Sequence, residues 1–341
     1  MRISIMLPFI PRRFSSTHKF AALVSEGIAA RLWQGQSLIA EPHHVAVDLA
    51  AAGIKIPIGI GVSLMPLRHP FEAALQARSA ALALGADVIA GFGPAGRSFQ
   101  QSLLGQPYAS PLTATTEYAR IVRGLLDGDE VDIEGEYFTM RGALPLAGTA
   151  RVAVGLGVLR AGMARVAGAT ADAAITWLTP PTYLSETIVP ALDAGADGQR
   201  ARPRLVSMVP IAVARQGISG PAVALSSNRP HLTLRHYQAM LRTAGMPVSA
   251  NATEDDAAHL INGGSFLYGD VEDIAAGIAG YAAVGVDELV LNVTGVMNTS
   301  GPQAALNDLR RVAEAVGGST YQAVGTDSAA RTGSPPNRTT V

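Results

Sequence analysis

The stretch IPIGIGVSLMPLRHPFEAALQARSAALALGADVIAGFGPAG, residues 56–96, decides the fold. Its first apolar run, Ile56 to Val62, ends in a short loop at Arg68-His69-Pro70. An Ala/Leu-rich amphipathic stretch follows and is closed by Gly85. A second apolar run, Val88 to Ala90, then breaks into Gly91-Phe92-Gly93-Pro94. Two buried strands with a helix between them form a βαβ unit, whose strands are parallel and whose crossover is right-handed. Residues just past the C-terminal ends of such strands line ligand sites. Here those are Gly61-Val62-Ser63-Leu64 and Gly91-Phe92-Gly93.

The same alternation runs outward in both directions. Arg2 to Leu7 and Ala29 to Gln34 read as the first two strands, with helices after each. Helix periodicity over Leu112 to Leu126 is followed by an alternating segment, VDIEGEYFTMRG, that predicts a small peripheral hairpin. Val152 to Leu156, Ala173 to Leu178, Leu205 to Ala214 and Asp287 to Val293 complete eight strands, and a last helix covers Pro302 to Val316. Eight strand–helix repeats predict a closed (β/α)8 TIM barrel, which leaves no open sheet edge. Residues 216–269, between the seventh and eighth strands, exceed what one helix needs and are expected to be a helical insertion. The division is then a single barrel domain over 1–317 and a Ser/Thr/Gly/Pro-rich disordered tail over 318–341.

Composition excludes several functions. The chain has no cysteine, so disulfides, iron–sulfur clusters, thiolate zinc sites and thiolate catalysis are ruled out. A formal charge of −1 gives no reason to expect nucleic acid. The N-terminal MRISIMLPFIPRR places its arginines after a short apolar segment, the reverse of a signal peptide, and no run approaches the ~20 apolar residues of a membrane span. A soluble, cytoplasmic protein without membrane partners is expected.

Few residues offer acid–base chemistry. His43 and His44 lie ~100° apart on a helix and read as solvated or capping groups rather than metal ligands. No metal site is expected. Arg68 and His69 read as scaffold before Pro70 at a helix start. His231 and His236 fall in the insertion, where spacing says nothing about direction. The polar residues at strand ends are neutral, among them Gln36, Ser37, Ser63, Thr176 and Thr179. Glycines at several strand ends without an acid–base pair suggest that a bound cofactor supplies the chemistry.

Four segments resemble the luciferase-like superfamily of flavin- and deazaflavin-dependent oxidoreductases. They are RHPFEAALQARSAALALGADVIAGFGPAG (68–96), YARIVRGLLDGDEVDIEGEYF (118–138), RVAGATADAAITWLTPPTYL (165–184) and YGDVEDIAAGIAGYAAVGVDELVLNV (268–293). AITWLTPPTYL looks closer to the branch that uses coenzyme F420 than to the luciferases themselves. The resemblance implies a barrel with an insertion after the seventh strand, a homodimer, and a ring cofactor over the strand ends. It implies a non-prolyl cis peptide at Gly61-Val62 behind that ring, with Ser63 and Leu64 following. It also implies backbone contacts from Gly91, Phe92 and Gly93, and phosphate binding by Gly157, Val158, Leu159 and Arg160. Trp177 and Thr179 would flank the ring.

Where F420 relatives carry an acid and a histidine after the second strand, this chain has Gln36-Ser37. The implied function is an F420H2-dependent reductase delivering hydride to an activated C=C or C=N bond of a small molecule or modified peptide. Gln36, Ser37 and Ser63 are then the candidate catalytic donors to the developing anion. The alternatives are an FMN-dependent monooxygenase, or a cofactor-free binding protein on the same barrel.

Overall fold

The structure, a computed structural model, describes residues 1–148 and 151–320. Eight parallel strands close into a barrel: β1 (Arg2–Met6), β2 (Leu32–Gln34), β3 (Ile58–Leu64), β4 (Val88–Gly93), β7 (Val152–Gly157), β8 (Ala173–Trp177), β9 (Arg204–Val213) and β11 (Glu288–Asn292). Closure comes from β1 pairing with β11, β11 with β9, and β9 with β8. The hairpin foreseen after the fourth barrel strand is β5 (Val131–Glu134) with β6 (Thr139–Gly142), paired antiparallel.

Strands buried on both faces must be apolar on both, which is why they read as continuous runs rather than alternating ones. The inner face holds Met6, Trp33, Ile89, Ile175, Val206, Met208 and Val290. The outer face packs under α1 (His18–Ser25), α2 (Pro42–Ala51), α3 (Pro70–Leu84), α4 (Arg97–Leu104), α5 (Pro111–Asp127) and α6 (Ala161–Thr170), and under the helices that follow. After β8 comes a composite helix: α7 (Pro181–Tyr183), a π-helical turn (Leu184–Ile188) and α8 (Val189–Ala196). A bulky indole fits inside this small barrel because Gly59 faces it: a Cβ there would fall within the Trp33 ring.

One end of the barrel is a polar plug. The fully buried Glu288 carboxylate accepts from Ser4 Oγ and Trp33 Nε1, both at 2.7 Å, with Arg31 Nε 3.5 Å away. Arg31 Nη1 also donates to the carbonyls of Ile58 and Asp87. Glu288 opens β11 and Arg31 immediately precedes β2, so the plug's ion pair lies at strand starts, the stability face of the fold.

Residues 216–269 differ from a purely helical insertion. They carry α9 (Gly220–Leu232), α10 (Arg235–Thr243) and α11 (Glu254–Asn262), but end in a short strand, β10 (Leu267–Gly269). This strand pairs parallel with Ile211 to Val213 of β9, beyond the part of β9 that pairs with β11. Then come α12 (Val271–Ala283) and α13 (Thr294–Ala315). The latter starts earlier than Pro302 because two helical segments meet at a kink at Gly301, whose φ is 81°. The expected tail also starts later: Ser319 O accepts from Ile3 N, and Thr320 bridges to Arg2. Residues 321–341 of that tail lie outside the described residues. Among the described residues, no helix is long and apolar enough to cross a membrane.

Candidate active site

The loops after β1, β2 and β11 enclose a cleft of about 210 Å³ lined by Leu7, Phe9, Ile10, Gly35, Gln36, Ser37 and Thr294. Two candidate donors are therefore on its wall, but both are already hydrogen-bonded within the protein. Ser37 Oγ donates to Ala40 O (2.9 Å) and accepts from Ala40 N. Gln36 Nε2 donates to Ser37 O and Glu41 Oε2, while its Oε1 accepts from Arg68. The third candidate, Ser63, is 2% exposed, and its hydroxyl has no hydrogen-bond partner among the described residues.

Behind this loop lies a network that sequence spacing did not reveal. Glu41 bonds His43 Nδ1 at 2.6 Å and Arg68 Nη2 at 2.8 Å, and Arg68 also reaches Gln76. Burial alone would raise the Glu41 pKa. Hydrogen bonds from His43 and Arg68, with the charge of Arg68, outweigh it and hold the carboxyl well below its usual range. His43 is thus not the solvated group expected: it is buried, with Nε2 unpartnered, whereas His44 is exposed. His69 caps α3, its Nδ1 accepting from Phe71 N, so the scaffold reading of Arg68 and His69 agrees with the geometry.

The peptide bond between Gly61 and Val62 is cis, at the position the resemblance implied. Pairing of β3 with β4 shifts register between Ile60 and Ser63, and the Val62 side chain lies against the glycines of the next two strands. A Cβ on Gly93 would stand 2.9 Å from Val62 Cγ2, and one on Gly157 would stand 3.3 Å from Cγ1. A Cβ on Gly91 would strike the Ile60 carbonyl and Ile175. The glycines at the top of β3, β4 and β7 thus make room for neighbouring side chains, Met208 at Gly61, Ile175 at Gly91 and Val62 at Gly93 and Gly157, and Val62 forms a shelf there. Leu64, half-buried, continues β3 beyond it. Phe92 turns its ring outward onto Tyr118 (5.3 Å between centroids) and offers the mouth only backbone.

Past β7, Gly157, Val158 and Leu159 lead into α6, whose N-cap is Arg160. Val158 is buried and its N–H is used by Ile175 O; Arg160 is exposed. No side chain caps α6, so its first-turn N–H groups are free, the arrangement that binds anions. The charge of Arg160 is felt by Tyr183 and His236.

The remaining wall is aromatic. Trp177 ends β8 and packs on the barrel's inner cluster, and His231 of the insertion stacks on it with centroids 5.0 Å apart and planes 26° apart. Tyr237 meets His231 edge-on at 5.1 Å. Trp177 Nε1 and His231 Nδ1 are buried without a partner. Burial, aided by the neighbouring His236, pushes the His231 pKa down to about 4, so the ring is neutral near pH 7. Thr179 departs from the expectation that it flanks a ligand. It is fully buried, its hydroxyl returns to Trp177 O, and its carbonyl accepts from Tyr281. Thr176 likewise turns away from the mouth to Ser207. Sequence spacing gave no signal for His231 or Tyr237, because they reach the mouth through a tertiary crossing of the insertion.

Residues 2–288 match the family described as luciferase-like monooxygenase. The chain belongs to that family. Solved structures of similar fold include the coenzyme F420-dependent tetrahydromethanopterin reductase of Methanopyrus kandleri, with a TM-score of 0.70 and 16% identity over 92% of this chain and 97% of that one. An F420-dependent secondary alcohol dehydrogenase gives 0.67 at 15% identity, covering 91% and 97%. The EDTA monooxygenase of Chelativorans sp. BNC1 gives 0.71 at 12%, covering 94% and 95%. At such identities the likeness is one of fold. The sequence matches none of the curated proteins compared with it.

Proposed function

We propose that this luciferase-like oxidoreductase is a reductase using coenzyme F420H2, acting on an activated C=C or C=N bond of a small molecule or modified peptide. The observation that carries the reading is the pairing of the Val62 shelf, seated on the glycines of β4 and β7, with the uncapped N-terminus of α6 beside Arg160. A flat ring suits the first and a phosphate the second. One arginine and a helix terminus match the single charge of a phosphodiester, as in F420, better than the near-double charge of the phosphomonoester in FMN.

Bound there, the reduced deazaflavin supplies a hydride. The chain's own residues do the rest. Arg160 and the first-turn amides of α6 would hold the phosphate end, while Val62 and Leu64 would support the ring. Trp177 and the insertion helices exclude water from the mouth. Glu41, His43 and Arg68 brace the loop that carries Gln36 and Ser37. No carboxylate contacts the Trp177–His231–Tyr237 wall among the described hydrogen bonds and salt bridges. That neutrality suits reduction, in which negative charge grows on the substrate and needs donors rather than a base.

Titrating the protein with F420 and with FMN, each followed by cofactor fluorescence, tests the reading. Micromolar affinity for F420 and weak or no affinity for FMN is expected. The reverse order would make it an FMN enzyme, and binding of neither would favour a cofactor-free role.

A further inference from the structure

Two polar tips in one aromatic wall have nothing to bond. Trp177 Nε1 and His231 Nδ1 are buried and unpartnered, and beside them the Tyr237 hydroxyl, which is not sealed from solvent, makes no hydrogen bond among the described residues. Leaving a buried donor unmade is costly, and native proteins rarely do so without a ligand or water to complete the set. What the three can share is donation: an indole N–H only donates, a phenol hydroxyl can donate, and a neutral imidazole donates from Nδ1 in the tautomer that leaves Nε2 bare. The complement is an acceptor atom.

We propose that Trp177, His231 and Tyr237 form the binding site for the oxygen of a neutral carbonyl compound conjugated to a C=C bond, an enone or enamide. This rests on the reductase reading and narrows its substrate class.

Charge argues for a neutral acceptor over a carboxylate. Among the described residues, no lysine or arginine makes a hydrogen bond or salt bridge to Trp177, His231 or Tyr237, whose ring neighbours are one another and His236. A carboxylate desolvated there would lack a counter-charge. Burial holds His231 neutral and keeps the Tyr237 hydroxyl protonated far above neutrality, so neither carries a charge at working pH. The donors also come from two places, β8 and the insertion, so the site exists only when the insertion is packed on the barrel.

Calorimetric titration of the protein loaded with oxidised F420, using 2-cyclohexen-1-one and separately benzoate, tests this. The enone is expected to bind more tightly than benzoate. His231→Phe and Tyr237→Phe, which keep the aromatic packing, should each weaken the enone about three- to tenfold while leaving the F420 Kd unchanged. Equal enone affinity in wild type and both variants overturns the proposal. So does tighter binding of benzoate, or a variant that changes the F420 Kd but not the enone's, since the free donors would then serve an anion or the cofactor. If wild type fails to bind F420 at all, the cofactor reading falls separately. The enone is then titrated into the cofactor-free protein, where the same two losses uphold the carbonyl site and equal affinities overturn it.

Discussion

Replacing His231 by Gln should flatten the acid side of the stability–pH curve. The imidazole titrates near 6.5 when free and at about 4 in the fold, because burial and the neighbouring His236 disfavour its charge. Between those values the unfolded chain holds a proton that the folded chain does not, so falling pH favours unfolding. Stability is complete above about pH 6.5 and is lost as pH falls towards 4. A tenfold difference in proton affinity between the two states is worth about 1.4 kcal/mol. The separation of about 2.5 between the two pKa values therefore sets a ceiling near 3 kcal/mol, and partial solvent contact of the ring brings it to about 2 kcal/mol. Urea unfolding of wild type and His231→Gln at about pH 7, 6, 5 and 4.5 measures it. Loss of the stacked ring lowers the variant at every pH, so the informative quantity is the difference between the two curves. Glu41 contributes in both proteins, with its stability lost only below the ordinary carboxylate range, and cancels. The wild-type advantage should shrink by about 2 kcal/mol on acidification. Parallel curves would refute the assignment of His231 as a buried neutral ring.

Three further outcomes follow from the same geometry. Gly157→Asp should weaken F420 binding at least about tenfold by charge repulsion with the phosphate, while Gly157→Ala, whose Cβ needs only a small adjustment of Val62, should change it little; equal affinity in both would put the phosphate elsewhere. Gly91→Ala should cost about 3 kcal/mol in urea unfolding because its Cβ meets the Ile60 backbone, and Gly93→Ala about 1 kcal/mol because it meets only the Val62 side chain; equal costs would refute this view of the wall. Glu288→Gln should destabilise by about 3 kcal/mol through the stranded Arg31 charge, read by the same method, and a neutral result would show that the plug is not an ion pair.

The barrel was legible because parallel strands buried on both faces leave uninterrupted apolar runs, and Ile56 to Val62 and Val88 to Ala90 are of that kind. The glycine shelf was legible too, since Gly61, Gly91, Gly93 and Gly157 all fall at strand ends. What escaped is what depends on distant partners. His43 looked solvated because its neighbours in sequence are ordinary, but Glu41 and Arg68 close on it from two loops. Thr179 looked free because it follows a strand, yet Leu178, with a φ of 55°, turns the chain and buries it. β10 is too short to show a pattern, and exists because β9 runs on past its pairing with β11.

That extra length of β9 bears on the chemistry. A donor set works only if its members are held before the ligand arrives, and loops hold geometry less well than packed elements. The insertion is long enough to be mobile, but it is tied at several points. Its exit, β10, is hydrogen-bonded to β9, and its entry is fixed by Arg215 Nη2 to Asp308 Oδ1 at 2.6 Å, with Asp308 also accepting from Val213 N. Gly295 lets α13 approach the Val223 carbonyl of α9, where a Cβ would clash at 2.6 Å. A reciprocal cap between Thr253 and Asp256 starts α11, and α11 packs on α9. His231, near the end of α9, is therefore positioned by the barrel rather than by its own segment. The two halves of the mouth thus differ in kind. The loops after β1 and β2 are closed upon themselves, with Gln36 and Ser37 already bonded. The wall made by β8 and the insertion is also held by packed elements but has unbonded polar atoms, and a ligand that completes them gains hydrogen bonds without the entropic cost of ordering the groups that make them.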